Sequence, residues 1–461
     1  MIVRRSLLIA LAITATLSGA AHAADDQSSL QPVLNAGDNV LKFDWPAVSV
    51  GTGEYEEGPT GVTVFRFDRR VHAAVDVRGG GPGTVNTDYL RIGYEVPEVD
   101  SVVFSGGSWY GLESTTAVAT ALKDDDIRDG IWTNLALSVG AIIYDFGDRR
   151  LNEIYPDKRL AQAAARAART GMFPLGARGA GRMAKTGHIF DCGAYSGQGG
   201  AFKQIGDLKI AAFTVVNAVG VVTDREGRVA ACYRDKDWPQ GELKTAELFG
   251  AFPASSKQGA WRPMAQKLDA KRNTTVSLVI TNQKLDRARL ERLATQVHSS
   301  MGRALQPFAT ELDGDVLYAV STAELEGPVD ESPTPNVDLD IIASELMWDA
   351  VLASIPPQQQ IKQPDPNVTF TTAQLRSFAG DYVFSPNVSV RVTVEGNKLV
   401  AQASGARPAF AIRKENTVEL LPASKTEFVV PGRYPTTLSF TEKGKLVLNP
   451  GHWQQVGSRK K

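Results

Sequence analysis

Cysteine is nearly absent: Cys192 and Cys232 are the only two in 461 residues. That excludes a disulfide framework and a multi-cysteine zinc site, and leaves one bridge whose geometry the sequence does not settle. Histidine is scarce too, with five in the chain, none at metal-ligand spacing such as H-E-x-x-H, so neither metal nor cofactor is expected. An excess of charge of one sign is also missing. Fifty basic residues face 51 acidic ones, for a formal charge of −1, which gives a nucleic acid or an anionic membrane nothing to hold. Beyond the first twenty or so positions there is no apolar run long enough to cross a bilayer.

The start of the chain differs from the rest. Arg4 and Arg5 precede an apolar run over 6–17, and Ala21-His22-Ala23 puts small residues at both cleavage positions. This predicts a secretory signal, 1–23, removed after Ala23. An uncleaved anchor is the alternative, and the run is short for one. The expected location is therefore a periplasm or the cell exterior, with no membrane contact once the signal is gone.

What remains is 43% apolar over the whole chain, enough to build more than one core. Alternation predicts paired strands at 62–67 and 72–78, followed by the glycine-rich RGGGPGTVNTD (78–88). A short buried strand at 102–104 runs into SGGSWYGL (105–112), then a helix over 112–123 and an alanine-rich one over 160–169. Glycine punctuates 174–188 and 192–202, poor material for regular elements and suited to close backbone approach. An apolar strand is expected over 209–223, of the kind covered on both faces. Over 286–305, Leu290, Leu293, Val297, Met301 and Ala304 share one helical face behind a capping Asp286. Another strand follows at 316–322 and a helix at 338–355. The unit 24–355 thus reads as mixed α/β. IPPQQQIKQPDPNV makes 356–368 a linker, and 369–461 breaks into short apolar runs of the kind that build a small antiparallel β-barrel or sandwich.

The stretch KRNTTVSLVIT (271–281) carries Asn273-Thr274-Thr275 at the mouth of a β-branched strand. It fits a sugar-acceptor tripeptide, and equally a self-cleavage point that would turn Thr274 into an N-terminal nucleophile. Eleven residues do not choose between them. Asn217, inside IAAFTVVNAVGVV, is expected to be buried and to need partners. Such an amide usually ties strands together. Lys185 in a glycine-rich loop is ordinarily a solvated charge, and Asp313-Gly314-Asp315 ordinarily a turn.

Five motifs occur together in order: SGGSWYGL, the glycine-rich stretch ending in Lys185, VVNAVG (215–220), RNTT (272–275) and DGD (313–315). In that order they resemble the P1-family peptidases, which comprise the DmpA-type aminopeptidases and the NylC-type 6-aminohexanoate-oligomer hydrolases, the latter branch being nearer. The resemblance covers roughly 30–325. It implies a four-layer αββα fold of the N-terminal-nucleophile type, self-processing between Asn273 and Thr274, and hydrolysis of a small peptide or oligoamide through a Thr274 acyl-enzyme. It further implies that Asn217 stabilises the oxyanion, that Lys185 lies beside the nucleophile, that Asp313 and Asp315 orient it, and that subunits assemble into tetramers. Arg178, Arg182 and Met183 depart from the smaller residues expected around Lys185. Trp109 and Tyr110 are candidates to line the substrate pocket or to pack on the sheet, and the loop that bears them offers amides to a carbonyl or carboxylate. The tail resembles the small lipocalin-like domain appended to some β-lactamase-type serine hydrolases. Two other functions stay open: acyl transfer by the same threonine, and a self-cleaved binding or structural protein without enzyme activity.

Overall fold

A computed structural model of the chain describes residues 27–91, 97–232, 242–250, 273–327, 333–359, 362–432 and 435–460. The expected signal segment lies outside them. Four layers, helix–sheet–sheet–helix, follow from how strand residues alternate. In β1 (Val48–Tyr55), β2 (Thr60–Val77), β3 (Glu98–Ser105) and β4 (Ser138–Ile142), residues such as Phe65, Phe104 and Val139 point into a central core, while Val62, Val64 and Val103 point outward. The outward set packs on α1 (Glu113–Asp124) and α2 (Lys158–Arg166).

The second sheet is built from β5 (Gln198–Ile205), β6 (Leu208–Val215), β7 (Val276–Gln283) and β8 (Val316–Leu325) in that order, with β8 also paired to β2. Here Phe213, Val276, Leu278 and Tyr318 enter the same central core. Ala212, Val279 and Leu317 face the other way, against α3 (Arg287–Ser300) and α4 (Pro335–Ala353). Both faces of β6, β7 and β8 are thus covered, which is why their sequences are nearly all apolar. The face expected on α3 is buried as a set, and the Asp286 side chain caps it by accepting from Arg289 N at 2.8 Å. Each such leucine contributes on the order of 2 kcal/mol by leaving water.

Two expectations are corrected. Residues 62–67 and 72–78 belong to a single 18-residue strand, β2, rather than to a hairpin. Across Asp68-Arg69-Arg70, between the two expected strands, the backbone stays extended. Its pairing with β3 slips between Arg66 and Val71, and beyond the slip the strand also pairs with β8, so one strand serves both sheets. The glycines at 198–202 likewise do not break a strand. A Cβ on Gly199 would come within 1.8 Å of the Ala350 carbonyl, so glycine lets α4 lie close on β5.

Beyond residue 368 come α5 (Thr372–Phe378) and nine antiparallel strands: β9 (Gly380–Ser385), β10 (Val388–Glu395), β11 (Lys398–Ala403), β12 (Val418–Glu419), β13 (Leu421–Pro422), β14 (Glu427–Val430), β15 (Thr436–Phe440), β16 (Lys445–Leu448) and β17 (Gln455–Arg459). The two ends of this sheet, β12 and β13, are separated by Leu420 alone, so it curls into a nearly closed barrel around Phe428, Leu438 and Leu446. Of the short apolar runs expected in 369–461, the one at 410–415 is not a strand: Phe410 has φ +52° within a tight loop closed by Ala409 and Ile412. Cys192 and Cys232 are disulfide-bonded. Among the described residues no helix is long and apolar enough to cross a membrane.

Candidate active site

The site forms where β7 and β8 begin. Their parallel pairing extends upstream: Asn273 N–H donates to the Leu312 carbonyl at 3.0 Å, Gly314 N–H to the Asn273 carbonyl at 2.8 Å, and Val316 N–H to the Thr275 carbonyl at 3.0 Å. Thr274 N–H donates sideways to the Asn217 carbonyl at 2.8 Å, where the chain leaves β6. Asn273, Thr274 and Thr275 are thereby pinned on both flanks and buried. The Thr274 hydroxyl donates to the Asn273 carbonyl oxygen at 2.5 Å, so that oxygen receives both Gly314 N–H and the hydroxyl.

Two carboxylates sit under this strand. Asp315 Oδ1 accepts Thr275 N–H at 2.6 Å and Oδ2 accepts Ala309 N–H at 3.1 Å. Asp313 accepts from Val219 N–H at 3.0 Å and from the Thr310 hydroxyl at 2.6 Å. Burial, and then the neighbouring Asp313 charge, push the Asp315 carboxyl well above its usual range, and burial raises Asp313 too. The glycine-rich 78–83 loop holds these turns from outside, with Gly79 N–H on the Asp315 carbonyl and Gly81 N–H on that of Asp313.

Asn217 is fully buried, as its place in an apolar run required. Its Nδ2 donates to the Tyr144 carbonyl at 3.2 Å, and its Oδ1 accepts Lys185 N–H at 3.1 Å. Through that bond the backbone of Lys185 is anchored to the same cluster, while its ammonium lies 4.6 Å from the centre of the Tyr195 ring. In this intact chain it is Gly314 N–H, not the Asn217 amide, that meets the Asn273 carbonyl.

One central residue carried no motif. Arg149 is buried, and its guanidinium forks between the Asn217 and Asn273 side-chain oxygens while also donating to the Tyr144 carbonyl at 2.6 Å. Burial pulls its pKa below the ordinary arginine value. In DFGDRRLN nothing but the adjacent pair of arginines marks it. Asn273 is 0% exposed. Its buried amide nitrogen leaves no room for a sugar in the folded chain, which counts against the acceptor reading.

Other expectations are revised. Trp109 and Tyr110 are 65% and 67% exposed, so neither packs under the sheet. Tyr110 lies against Phe146 and Tyr155, covering the segment that leads to Arg149. Three amides of their loop are already committed: Gly106 to Gly61, Gly107 to Asp145, Ser108 to Ile143. Those three are not available to an anion. Arg182 is buried in ion pairs with Glu54 and Glu56, and Met183 packs in a small core that includes Tyr195 and Trp453.

A buried threonine hydroxyl on its own upstream carbonyl, with a backbone donor opposite and two carboxylates below, defines a peptidase or amidohydrolase acting on C–N bonds when set beside the relatives of this chain. Residues 43–360 match the model of Peptidase family S58. The chain belongs to that family and is an amide-bond hydrolase. It is 38% identical over 336 residues to the 6-aminohexanoate-oligomer endohydrolase of Paenarthrobacter ureafaciens, covering 71% of this chain and 89% of that protein. To a putative NylC-analogous protein of an Agromyces species it is 39% identical over 321 residues, covering 68% of this chain and 99% of that one. Among solved structures, it shares 18% identity and a TM-score of 0.46 with the L-aminopeptidase D-Ala-esterase/amidase of Ochrobactrum anthropi, over 67% of this chain and 83% of that one.

Proposed function

We propose that this is an exported, self-processing hydrolase that opens the amide bonds of small peptides or oligoamides through a Thr274 acyl-enzyme. The observation that carries the reading is the shared Asn273 carbonyl, held by Gly314 N–H at 2.8 Å and by the Thr274 hydroxyl at 2.5 Å. In processing, Thr274 Oγ1 bonds to the Asn273 carbonyl carbon and the hydroxyl proton passes to the Thr274 nitrogen as the C–N bond breaks. Gly314 N–H stabilises the developing oxyanion. Water then opens the ester, leaving a carboxylate on Asn273 and an amine on Thr274.

A threonine hydroxyl needs an adjacent base, and the freed amine supplies one on the same residue, with an ordinary pKa near 8. Its cation also answers a problem of the intact chain, because Asp313 and Asp315 are buried carboxyls whose ionisation burial opposes. In turnover the hydroxyl attacks substrate, the amine takes its proton, and Asn217 and Lys185 meet the acyl group. Export rests on the 1–23 segment, and the oligoamide substrate class on the relatives.

The test is intact mass and amide hydrolysis on three variants. Thr274→Ala should stay one folded, inactive chain; Thr274→Ser should retain processing and activity; Thr275→Ala should be mild. Two chains and full activity from Thr274→Ala would sink the assignment.

A further inference from the structure

We propose that the C-terminal β unit is part of the active-site wall, and that Trp453 is a positioning residue for Lys185, acting through Tyr195. This rests on the reading above for the importance of Lys185. The family match ends at residue 360, so this wall is supplied by chain outside it.

The loop between β16 and β17 leaves the barrel and enters the hydrolase unit. There the Trp453 ring stacks on Tyr195 with centroids 3.8 Å apart and planes 12° apart, and its indole N–H donates to the Arg182 carbonyl at 3.1 Å. His452 bonds the Ala177 carbonyl at 2.6 Å. The Lys185 ammonium lies over the same Tyr195 ring, 4.6 Å from its centre, and Lys185 and Tyr195 are also paired in backbone register. The linker grips the same residue: Gln358 accepts Tyr195 N–H at 3.0 Å and donates to the Tyr195 carbonyl at 2.9 Å. Ring and backbone of Tyr195 are therefore both held by residues that follow the catalytic sheet.

A second contact reaches the other wall. Gln455, two residues past Trp453, accepts Leu151 N–H at 2.8 Å, and the Leu151 side chain is buried in the barrel core. Leu151 is two residues from Arg149, which spans Asn217 and Asn273. The barrel thus braces the segments bearing Lys185 and Arg149. This also accounts for the departure at Met183, which packs in the core that contains Trp453.

The experiment uses the full chain with Trp453→Ala, Trp453→Phe, Tyr195→Leu and the double variant Trp453→Ala/Tyr195→Leu. Val456→Ala is the control, since Val456 is 42% exposed beside the same loop. Acetylation of Lys185 by acetic anhydride across pH, mapped by peptide mass, reads the lysine directly and needs no substrate. Loss of the stack should raise its labelling rate about threefold to fivefold, the worth of one cation–π contact. Tyr195→Leu should do the same, the double variant no more than either single, and Trp453→Phe should restore most of the protection. In parallel, kcat should fall about tenfold with little change in KM, as expected for a misplaced group, and the pH profile of kcat/KM should move. If Trp453→Ala fails to fold, Gln358→Ala releases the backbone grip alone and should raise labelling in the same direction. Unchanged labelling in folded Trp453→Ala, or in Gln358→Ala where that is the folded variant, overturns the proposal. A wild-type protein that hydrolyses no amide overturns the proposed function instead, and the labelling still decides this one.

Discussion

Gly314→Ala tests the geometry of self-cleavage without touching a reacting atom. A Cβ at this position would stand 2.7 Å from Thr274 Oγ1 and 2.7 Å from the Gly81 carbonyl oxygen. Carbon–oxygen contacts settle at about 3.3 Å or more, so something must move by roughly half an ångström. Gly81 resists, because its N–H is bonded to the Asp313 carbonyl at 2.9 Å. Either the Thr274 hydroxyl turns away from the Asn273 carbonyl, or the 314 peptide withdraws its N–H from it. Losing one donor to a developing oxyanion costs about 100-fold or more, and a misplaced nucleophile a similar factor. Processing should therefore slow by roughly 100-fold. Overpacking of this kind also costs about 1–3 kcal/mol, so Tm should drop by several degrees. Thr274→Ala removes one of the two clashing oxygens, and in that background the Tm penalty of Gly314→Ala should shrink. The assay is a time course of chain cleavage at neutral pH by denaturing gel and intact mass, with a thermal melt on each sample. A folded Gly314→Ala protein that cleaves within about threefold of wild type would refute the reasoning that the hydroxyl and the Gly314 amide act on one carbonyl.

Two further outcomes follow from the buried charges. Asp315 has its carboxyl pKa held well above the ordinary 3.8 by burial and by Asp313; its contribution to stability is therefore fully present below that unfolded value and is lost as pH rises through the folded one. In an uncleaved Thr274→Ala background, Tm should decline from about pH 4 towards neutrality, and Asp315→Asn should flatten that decline; an unaltered slope would contradict the buried, strained carboxylate. Arg149→Lys keeps a cation but loses the fork that spans Asn217 and Asn273. Leaving one buried acceptor unpaired costs about 1–3 kcal/mol, so cleavage should slow at least about tenfold and Tm should fall, whereas wild-type cleavage on a gel would make Arg149 incidental.

Local periodicity made the individual strands and helices legible because each is written in a short window, whereas their stacking in four layers came from the resemblance of the ordered motifs. The strand at 276–283 alternates between two cores, and the 287–300 helix shows one apolar face behind its cap. What escaped depends on separations no window spans. The expected pair of strands at 62–67 and 72–78 is one continuous strand, since its second half pairs with β8, some 240 residues away. Gly199 looked like a breaker because the helix that needs its missing Cβ is 150 residues downstream. The candidate site divides the same way. Asn217, Lys185, Thr274, Asp313 and Asp315 are marked by motifs and do converge, whereas Arg149 has no motif and is identified only by what it touches. The grip of Trp453 on Tyr195 joins residues 258 apart, and was invisible for the same reason.

The strand order carries a consequence for the proposed cut between Asn273 and Thr274. In the second sheet, β6 precedes the 273–274 bond, β7 and β8 follow it, and β2 precedes it again. With that bond open, the two polypeptides are shuffled together, with the later one's strands slotted between two of the earlier one's. Before the cut, folding is a one-body event at any dilution; afterwards it requires two partners to find each other and interleave. If the cut occurs as proposed, the native state becomes one that can be reached easily only once, from the uncut chain. A mature molecule that has lost it through heat or acid should be slow to return, and slower the more dilute the solution, even where every residue of its active site is intact.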